Sequence, residues 1–364
     1  MKLRVTQENL HKALSNVAKV ASSRGTLPIL ANVLIKTVGN RVCVAATNLD
    51  IAISHYIGSK VSSEGAITVP ARLMQDFVAN LSSSATITLD LQGTKLNVTT
   101  DYHQSTIHGT DAEDYPVMPT ISKGESFNLS SKTLKTSLQQ VLFAASSDEA
   151  RPVLTAVYMH TIDGVLTLAA TDSYRLAERQ LGKHNSSTSL LIPASALQDL
   201  LRVLDDTDDT VAVTHDDQQV LFKVGDVELV ARLIEGAYPE YKKLIPTTFS
   251  HTAKLAKKEL QDIVKVSALF ARENAGSVSI KLDESAQQIS IQAIASQLGE
   301  DTASTEAVVS ADGNITLNSR YIIDALSAIS EPEVSISFND KLEPCVFKGA
   351  GDDNYTHVIM PLKS

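Results

Sequence analysis

Three stretches of the chain align without gaps: ITVPARLMQDFVANL from Ile67, LLIPASALQDLLRVL from Leu190 and ITLNSRYIIDALSAI from Ile315. After the first four residues of each stretch, apolar residues recur every three or four positions, which is the spacing of one helix face. Each stretch therefore predicts a short strand that runs into an amphipathic helix. Two columns are shared by the three copies: Asp76, Asp199 and Asp324, and Leu81, Leu204 and Ile329.

A second helical pattern precedes each of these stretches. Its apolar positions follow the i, i+4, i+7 spacing of a helix face, and only Ser267 in the third copy is polar. The three sets are Leu10, Leu14, Val17, Ala18 and Ala21; Leu134, Leu138, Val141, Leu142 and Ala145; and Leu260, Val264, Ser267, Ala268 and Ala271. Strand patterns bounded by turn signals, such as Gly39-Asn40 and Asp163-Gly164, lie between the helices.

The repeat has the length of a domain rather than of a solenoid unit, because its copies begin 123 and 125 residues apart. We place the domains at 1–125, 126–250 and 251–364, with two helices and about eight short strands in each. The expected fold class is α+β, with three repeated domains in which the helices cover one face of an antiparallel sheet.

The composition, with 43% hydrophobic and 20% charged residues among 364, is that of a globular protein. No apolar run reaches the roughly 20 residues of a membrane span, and the N-terminal MKLRVTQENL lacks a signal-peptide core, so we expect a cytoplasmic protein without a membrane partner. Cys43 and Cys345 are far apart in sequence, which favours two buried thiols over a disulfide or a zinc site. The net charge of −10, taken alone, argues against nucleic acid as a partner.

The chain lacks the motifs of common catalytic and nucleotide-binding sites. It has no GxxxxGK[ST] loop, no GxGxxG fingerprint, no GxSxG elbow and no HExxH. His103 and His108 lie near Asp101, Asp111 and Asp114, but a polar strand and loop explains this cluster better than a metal site does. We therefore expect no enzymatic activity, no cofactor and no metal; an enzyme with an unrecognised site is the alternative.

Seven short motifs occur along the chain: Arg24–Leu30, Thr47–Asp50, Val69–Arg72, Arg151–Leu154, Ala170–Ala177, Tyr238–Tyr241 and Val358–Leu362. Their order and their positions in a threefold repeat resemble those of the bacterial β sliding clamps, the β subunits of DNA polymerase III. The resemblance covers the whole chain, and the third domain is the most divergent. It implies the DNA-clamp fold, with helices lining the inside and antiparallel sheets outside, in a head-to-tail dimeric ring.

The resemblance also implies a function and a set of partners. A sliding clamp encircles duplex DNA without sequence specificity and tethers the replicative polymerase, which makes synthesis processive. The expected partners are duplex DNA, a second copy of the chain in a homodimer, the DNA polymerase III catalytic subunit, the clamp loader complex and other proteins with a clamp-binding motif, such as repair polymerases, mismatch repair proteins and ligase. A peptide-binding scaffold that never touches DNA is the alternative, and it should lack a basic helix face.

The number of helices favours a dimer. A helix with its side chains is about 10 Å across, so a circle of six leaves a hole about one helix wide, which is too narrow for a duplex. Twelve helices leave a hole of roughly 28 Å, enough for DNA and a water layer. By the resemblance, the first domain of one copy meets the third domain of the other at Ile107, Leu269 and Phe270. The alternative for Leu269 and Phe270 is the core of their own domain.

A basic inner surface reconciles DNA binding with the acidic net charge, because helix cations attract phosphates without reading bases. The cations on the predicted helices are Lys12, Lys19, Arg72, Lys132, Lys135, Arg202, Lys257, Lys265 and Arg320. By the resemblance, Arg24, Arg72 and Arg151 face the duplex, and we expect Lys12, Lys135, Arg202 and Lys265 to assist them. The alternatives are ordinary solvation of the helix faces and, for Arg151, pairing with Asp148 or Glu149.

The resemblance places a pocket for partner peptides between the second and third domains, completed by the C-terminal tail. Its ligands are short segments with a glutamine and bulky apolar residues. The lining residues carried over to this chain are Leu154, Thr171, Ser173, Tyr174, Arg175, Leu176, Pro239, Lys243, Leu244, Asn318, Tyr321, Val358, Met360, Pro361 and Leu362.

Physical chemistry gives these residues different expected roles. The apolar surface comes from Leu176, Leu244, Val358 and Met360, and methionine adapts its shape to several partners. Tyr174 and Arg175 are expected to orient the peptide backbone. Lys243 stands where many relatives carry arginine, and lysine lacks the planar fork, so that contact is expected to be looser. Two alternatives are structural: a strand-end turn at Thr171-Asp172, and a final strand whose Met360 is buried in the third domain.

Overall fold

The computed structural model describes residues 1–21, 27–121, 123–206, 209–297 and 299–362. The first copy of the repeat contains α1 (Gln7–Val17), α2 (Ala71–Ala79), β1 (Lys2–Thr6), β2 (Asn32–Val38), β3 (Arg41–Thr47), β4 (Ile51–Gly58), β5 (Lys60–Ser63), β6 (Ala66–Pro70), β7 (Thr86–Gln92), β8 (Lys95–Thr99) and β9 (Gln104–His108). The second contains α3 (Ser131–Val141), α4 (Ala194–Val203), β10 (Glu125–Ser130), β11 (Ala156–Ile162), β12 (Val165–Thr171), β13 (Arg175–Lys183), β14 (Ser189–Pro193), β15 (Thr210–His215), β16 (Gln219–Val224) and β17 (Val227–Arg232).

The third copy has the same plan as the first two. It contains α5 (Lys257–Ala271), α6 (Ser319–Ala328), β18 (His251–Ala256), β19 (Ser277–Asp283), β20 (Gln288–Ala295), β21 (Gly299–Glu306), β22 (Val308–Val309), β23 (Gly313–Asn318), β24 (Glu333–Phe338), β25 (Cys345–Gly349) and β26 (Tyr355–Ile359). The predicted α+β repeat, with two helices per copy, is therefore confirmed.

Each of the six α-helices in the described ranges begins at the residue that follows a strand. The predicted strand-to-helix runs are β6–α2, β14–α4 and β23–α6, and the second helical pattern follows β1, β10 and β18 in the same way. Side chains cap at least three of these junctions. Thr6 accepts from the backbone N–H of Asn9 at 3.4 Å, Ser130 from that of Thr133 at 3.4 Å, and Asn318 from that of Arg320 at 2.9 Å. A cap at the junction satisfies helix donors that would otherwise lack a partner.

The apolar column shared by the three strand-to-helix stretches is buried. Leu81, Leu204 and Ile329 all lie in the core. Ser267, the polar exception in the third copy, is also buried, and its hydroxyl donates to the Asp301 carboxylate at 2.7 Å. A buried hydroxyl with a charged acceptor avoids the cost of an unsatisfied polar group, so serine fits an otherwise apolar column.

Residue contacts divide the chain into two compact units, 1–135 with 195–233 and 136–194 with 234–364. The first unit holds a five-stranded antiparallel sheet in the order β5-β1-β7-β8-β9 and an eight-stranded sheet in the order β10-β15-β16-β17-β4-β3-β2-β6. The larger sheet joins two copies of the repeat, because β17 of the second pairs with β4 of the first.

The second unit also holds two antiparallel sheets. One has nine strands in the order β14-β11-β12-β13-β26-β25-β24-β18-β22, and the other has four in the order β21-β20-β19-β23. Here β13 of the second copy pairs with β26 of the third, which places Leu176 opposite Val358. Since each large sheet draws strands from two copies, the compact units do not follow the repeats. The domain boundaries at 125 and 250 stay a prediction.

Two predictions about individual residues are confirmed. The turns at Gly39-Asn40 and Asp163-Gly164 each connect the two strands of a hairpin. Gly39 (56°), Asp163 (50°) and Gly164 (74°) have positive φ angles, as two-residue hairpin turns require. Cys43 and Cys345 are free, buried thiols. None of the helices in the described ranges is long and apolar enough to cross a membrane.

Three histidines are buried in the fold: His55, His160 and His357. Nδ1 of His55 lies 3.2 Å from the Asn16 amide nitrogen, and Nε2 of His160 lies 2.8 Å from the Tyr241 hydroxyl. Burial is the main cause that lowers the pKa of His55 and His160 to about 4 and that of His357 to about 3. All three are therefore neutral in the folded chain near neutral pH.

We expect the free energy of unfolding to fall as the pH drops from about 6.5 toward 4. A histidine whose pKa is lowered by folding is protonated first in the unfolded chain, so its contribution is complete above about pH 6.5 and is lost toward the folded pKa. Each contributes a slope of at most ~1.4 kcal/mol per pH unit in that window. Urea denaturation at several pH values measures the slope. His357→Leu should reduce the dependence of the unfolding free energy on pH. His103→Gln, at an exposed position, is the control and should leave it unchanged. An unchanged pH dependence in His357→Leu contradicts the prediction.

Candidate functional site

A sharp turn between β12 and β13 forms one side of the candidate site. The Thr171 hydroxyl donates to the Arg175 carbonyl at 2.6 Å, and the Asp172 carboxylate accepts from the backbone N–H groups of Tyr174 and Arg175 at 2.9 and 3.0 Å. Ser173 has a φ of 80°, in the left-handed region. The strand-end turn proposed for Thr171-Asp172 is thus confirmed, and it leaves the Tyr174 side chain 61% exposed.

The first copy of the repeat contains the same turn at Thr47–Ile51. The Thr47 hydroxyl donates to the Ile51 carbonyl at 2.9 Å, and the Asn48 side chain accepts from the backbone N–H of Ile51 at 2.8 Å. Leu49, in the place of Ser173, has a φ of 81°. This backbone is therefore a property of the repeat, whereas the side chains on it differ.

Arg175 holds several parts of the site together. Its guanidinium donates to the carboxylates of Asp172 at 3.0 Å and Asp324 at 2.5 Å, and to the Phe143 carbonyl at 2.6 Å. It also lies over the Tyr321 ring, 4.5 Å from the centroid, and is only 10% exposed. These contacts use three of the five N–H donors of the guanidinium, and the expectation that Arg175 orients a peptide backbone stays a prediction.

The floor of the site is apolar. Leu176 and Val358, which face each other across the β13–β26 pairing, belong to a buried cluster with Ala169, Tyr241 and Val346. Leu154 and Thr171 are also buried. These residues supply shape and hydrophobic surface beneath the site rather than direct contacts at its mouth.

The rim of the site is exposed. Leu244 is 49% exposed and Pro239 is exposed, while Met360 is half-buried. The backbone N–H of Met360 donates to the Tyr174 carbonyl at 2.8 Å, which fixes the tail beside the β12–β13 turn. Strand β26 ends at Ile359, so the alternative of a final strand with Met360 buried is wrong.

The remaining lining residues occupy the edges of the site. Asn318 caps α6 and donates to the Ala275 carbonyl at 3.0 Å. Pro361 and Leu362 are half-buried, and the backbone N–H of Leu362 donates to the Thr316 carbonyl at 2.9 Å. The Lys243 ammonium forms an ion pair with Glu240 and is 78% exposed, so it is only weakly held.

The sequence did not predict a polar cluster that lies under the rim and consists of His160, Tyr241, Glu178 and Lys242. The Tyr241 hydroxyl lies 2.8 Å from Nε2 of His160, and the Lys242 ammonium lies 2.7 Å from the buried Glu178 carboxylate. Burial and the nearby Glu178 charge raise the pKa of Tyr241, so its hydroxyl keeps its proton. Because Tyr241 and Lys242 belong to the same short helical turn as Leu244, these contacts set the position of that part of the rim.

The cations proposed to contact DNA differ in their surroundings. Four form ion pairs: Arg72 with Asp76, Lys135 with Asp206, Arg151 with Asp148, and Arg202 with Asp199. Lys12 and Lys265 are exposed, and within the described ranges they have no carboxylate partner. The pairing alternative for Arg151 is confirmed, with 2.9 Å to Asp148 and a second bond of 2.9 Å to the Ser173 hydroxyl. Arg24 lies outside the described residues.

The three residues proposed for the junction between copies are not equivalent. Leu269 is 50% exposed and Phe270 is half-buried, so Leu269 is not part of its domain core. Ile107 is 4% exposed and belongs to the core of the first unit. Its strand β9 is the free edge of the five-stranded sheet, and the expectation that Ile107 lies at the junction stays a prediction.

Comparison with known proteins places the chain in a family. Models of the DNA polymerase III beta subunit match residues 1–119 (N-terminal domain), 128–240 (central domain) and 242–363 (C-terminal domain). A beta sliding clamp of Synechocystis sp. is 31% identical over 388 residues, covering 100% of this chain and 99% of that protein. The chain belongs to the DNA polymerase III beta subunit family.

Other members of the family agree over the full length. A beta sliding clamp of Staphylococcus epidermidis is 29% identical over 376 residues and covers 100% of both chains. The Bacillus subtilis sliding clamp structure has a TM-score of 0.94 at 27% identity, covering 100% of this chain and 99% of that one. A Bartonella birtlesii clamp solved with griselimycin has a TM-score of 0.95 at 25% identity, with 100% of both chains covered. The chain thus has three repeated clamp domains and functions as a DNA sliding clamp for polymerase processivity.

The contacts of Arg175 predict the effect of replacing it. Arg175→Lys keeps the charge but loses the planar fork, so at least one buried acceptor loses its partner. We expect the chain to lose about 2 kcal/mol of unfolding free energy, measured by urea denaturation. Arg202→Lys is the matched control, because that ion pair is 42% exposed on the arginine side, and it should change stability by less than ~0.5 kcal/mol. Equal effects of the two replacements would mean that Arg175 does not organise the site.

Proposed function

We propose that the chain acts as a homodimeric, non-catalytic ring around duplex DNA and carries its protein partners on the surface formed by the β12–β13 turn, the Tyr241–Leu244 turn and the C-terminal tail. The observation that carries the peptide site is a buried apolar cluster bordered by exposed apolar side chains. Leu176 and Val358 in the cluster are buried, whereas Tyr174 and Leu244 on the rim are 61% and 49% exposed. Neighbouring exposed apolar residues of this kind are typical of a binding site.

The proposed ligand is a short extended peptide with a glutamine and bulky apolar residues. Apolar side chains of such a peptide gain about 25 cal/mol for each Å² of apolar surface that they bury against this site. Met360 is unbranched and can adapt to different apolar side chains, which suits one pocket to many partners. The Bartonella birtlesii clamp was solved bound to griselimycin, and we propose that this chain also binds that compound.

The proposed partners share this one surface. They are the DNA polymerase III catalytic subunit, the clamp loader complex, repair polymerases, mismatch repair proteins and ligase. Specificity for these peptides then comes from the rim residues, from the remaining N–H donors of Arg175 and from Lys243, whose exposed ammonium can leave Glu240 at little cost.

The proposed contact with DNA is weak and independent of sequence. Lys12 and Lys265 are exposed helix cations that support it, and Arg72 adds to them because its side chain is 96% exposed and its pair with Asp76 is long, at 3.8 Å. Ion-paired cations such as Lys135 and Arg202 add little net positive charge. A mildly basic lining binds phosphates without trapping the duplex at one position.

The first experiment removes Met360–Ser364 and tests the peptide site. We expect a fluorescent peptide carrying glutamine, leucine and phenylalanine to bind at least about tenfold more weakly, a loss of ~1.4 kcal/mol, because the tail that borders the site is gone. Fluorescence anisotropy gives the affinity, and urea denaturation checks the fold. Tyr174→Ala is a milder second variant that should act in the same direction. Val117→Ser, at a 95% exposed apolar residue of the first unit, is the control. Wild-type affinity in both site variants places the pocket elsewhere.

The second experiment tests the ring. Leu269→Ala combined with Phe270→Ala removes apolar surface from α5, so we expect a folded monomer by sedimentation and loss of retention on circular DNA. The control is Ile294→Ala, which truncates another exposed apolar residue of the same domain. Linearising the DNA should release the wild-type protein but leave the double variant unaffected. A double variant that stays dimeric refutes the assignment of these residues to the junction.

A further inference from the structure

A concavity of about 560 Å³ lies at the β5 side of the five-stranded sheet in the first unit. It is bounded by β1, by β5, by the end of β4 and by the turn between β2 and β3. The polar residues that line it are Arg4, Thr6, Asn40, Ser59, Lys60 and Thr86. None of them belongs to the peptide site or to the proposed DNA contacts.

Two cations face each other across this concavity. Arg4 and Lys60 are direct partners in the antiparallel pairing of β1 with β5, so their side chains leave the same face of the sheet, and both are exposed. Like charges directly opposite each other destabilise a sheet. Lys2, on the same strand, is paired with Asp90 at 3.0 Å. In the part of the chain that the structure describes, Arg4 and Lys60 have no such partner.

Two neighbouring cations without a carboxylate partner are unexpected in a chain that has more acidic than basic residues. Asp and Glu number 42 and Lys and Arg 32, so most cations can find a carboxylate. A facing pair of unneutralised cations thus lowers the stability of the chain alone, and an anion placed between them would restore it. Destabilising arrangements of this kind tend to occur at functional sites.

The uncharged groups around the pair are hydrogen-bond donors. Thr6, Ser59 and Thr86 offer hydroxyls and Asn40 an amide, and the Ser59 hydroxyl is shielded from solvent without a hydrogen-bond partner. The set combines two full positive charges with several neutral donors, which suits a tetrahedral anion with more than one charge.

We propose that this concavity binds a phosphate group between Arg4 and Lys60. The arginine fork can hold two phosphate oxygens and the lysine supplies a point charge, while the hydroxyls complete the shell. A carboxylate has one charge and two oxygens and would leave part of this set unused. Leu3 and Val5 alternate with Arg4 along β1 and point into the core that α1 covers, so Arg4 lies on the face away from the helix. The phosphate therefore belongs to a ligand other than the duplex proposed to run along the helices.

The experiment measures unfolding of the full chain in inorganic phosphate, with potassium chloride at matched ionic strength as the reference. Phosphate should raise the unfolding midpoint in a saturable way, because it binds the folded state. Lys60→Thr should unfold no earlier than the wild type without phosphate, since the like-charge pair is gone, and its affinity for phosphate should fall about tenfold or more. Lys95→Thr, at another exposed lysine of the same sheet, should respond like the wild type. Equal phosphate responses of wild type and Lys60→Thr overturn the proposal, as does a Lys60→Thr variant that is less stable without phosphate.

The source of the phosphate is decided by competition. Adenosine 5′-monophosphate and a short single-stranded oligonucleotide, with and without a 5′-phosphate, are titrated against the phosphate effect. Displacement by the monophosphate assigns a free nucleotide as the ligand class. Displacement by the phosphorylated oligonucleotide, but not by its unphosphorylated form, assigns a strand end. Failure of all three to displace phosphate overturns the assignment to a phosphate ester.

Discussion

The pairing of β13 with β26 is the interaction on which the candidate site depends. It joins a strand of the second repeat to the last strand of the chain and places Leu176 opposite Val358. Because side chains alternate between the two faces of a strand, a shift of one residue would turn both of them away from the apolar cluster. The same register brings Met360 to the Tyr174 carbonyl, so the position of the tail follows from the strand pairing.

The equivalent pairing of β4 with β17 shows which features belong to the repeat. Both sheets have a Thr-Asx turn before the paired strand, with a positive φ at Leu49 and at Ser173. In the first copy the Tyr115 hydroxyl accepts from the backbone N–H of Thr47 at 3.1 Å. The features that differ, Arg175 with its two carboxylates and the Glu178–Lys242 pair, are confined to the second unit. The backbone is thus common to both copies, while the charged contacts that organise a site occur in one.

Local patterns explain why much of the fold could be predicted and why parts of the site could not. Helix faces, hairpin turns and strand-to-helix runs depend on neighbouring residues, so periodicity and turn chemistry identify them. The contacts of Arg175 with Asp324 and of Lys242 with Glu178 join residues 149 and 64 positions apart, and no periodicity marks such pairs. The alignment of the repeats identified Asp324 as one of three aspartates in a column, but it did not identify Arg175 as the partner of Asp324. The burial of Ile107 could have been predicted, since it is the one apolar residue in β9 and such a residue usually faces the core.

The direct junctions between strands and helices have a consequence for how this chain can vary. With no loop residue between a strand and its helix, one inserted residue would rotate the helix by about 100° about its axis and turn its apolar face away from the sheet. A deletion would do the same in the opposite sense. Changes in length are therefore disfavoured at these six junctions, and each strand with its helix behaves as a single unit when the chain length varies.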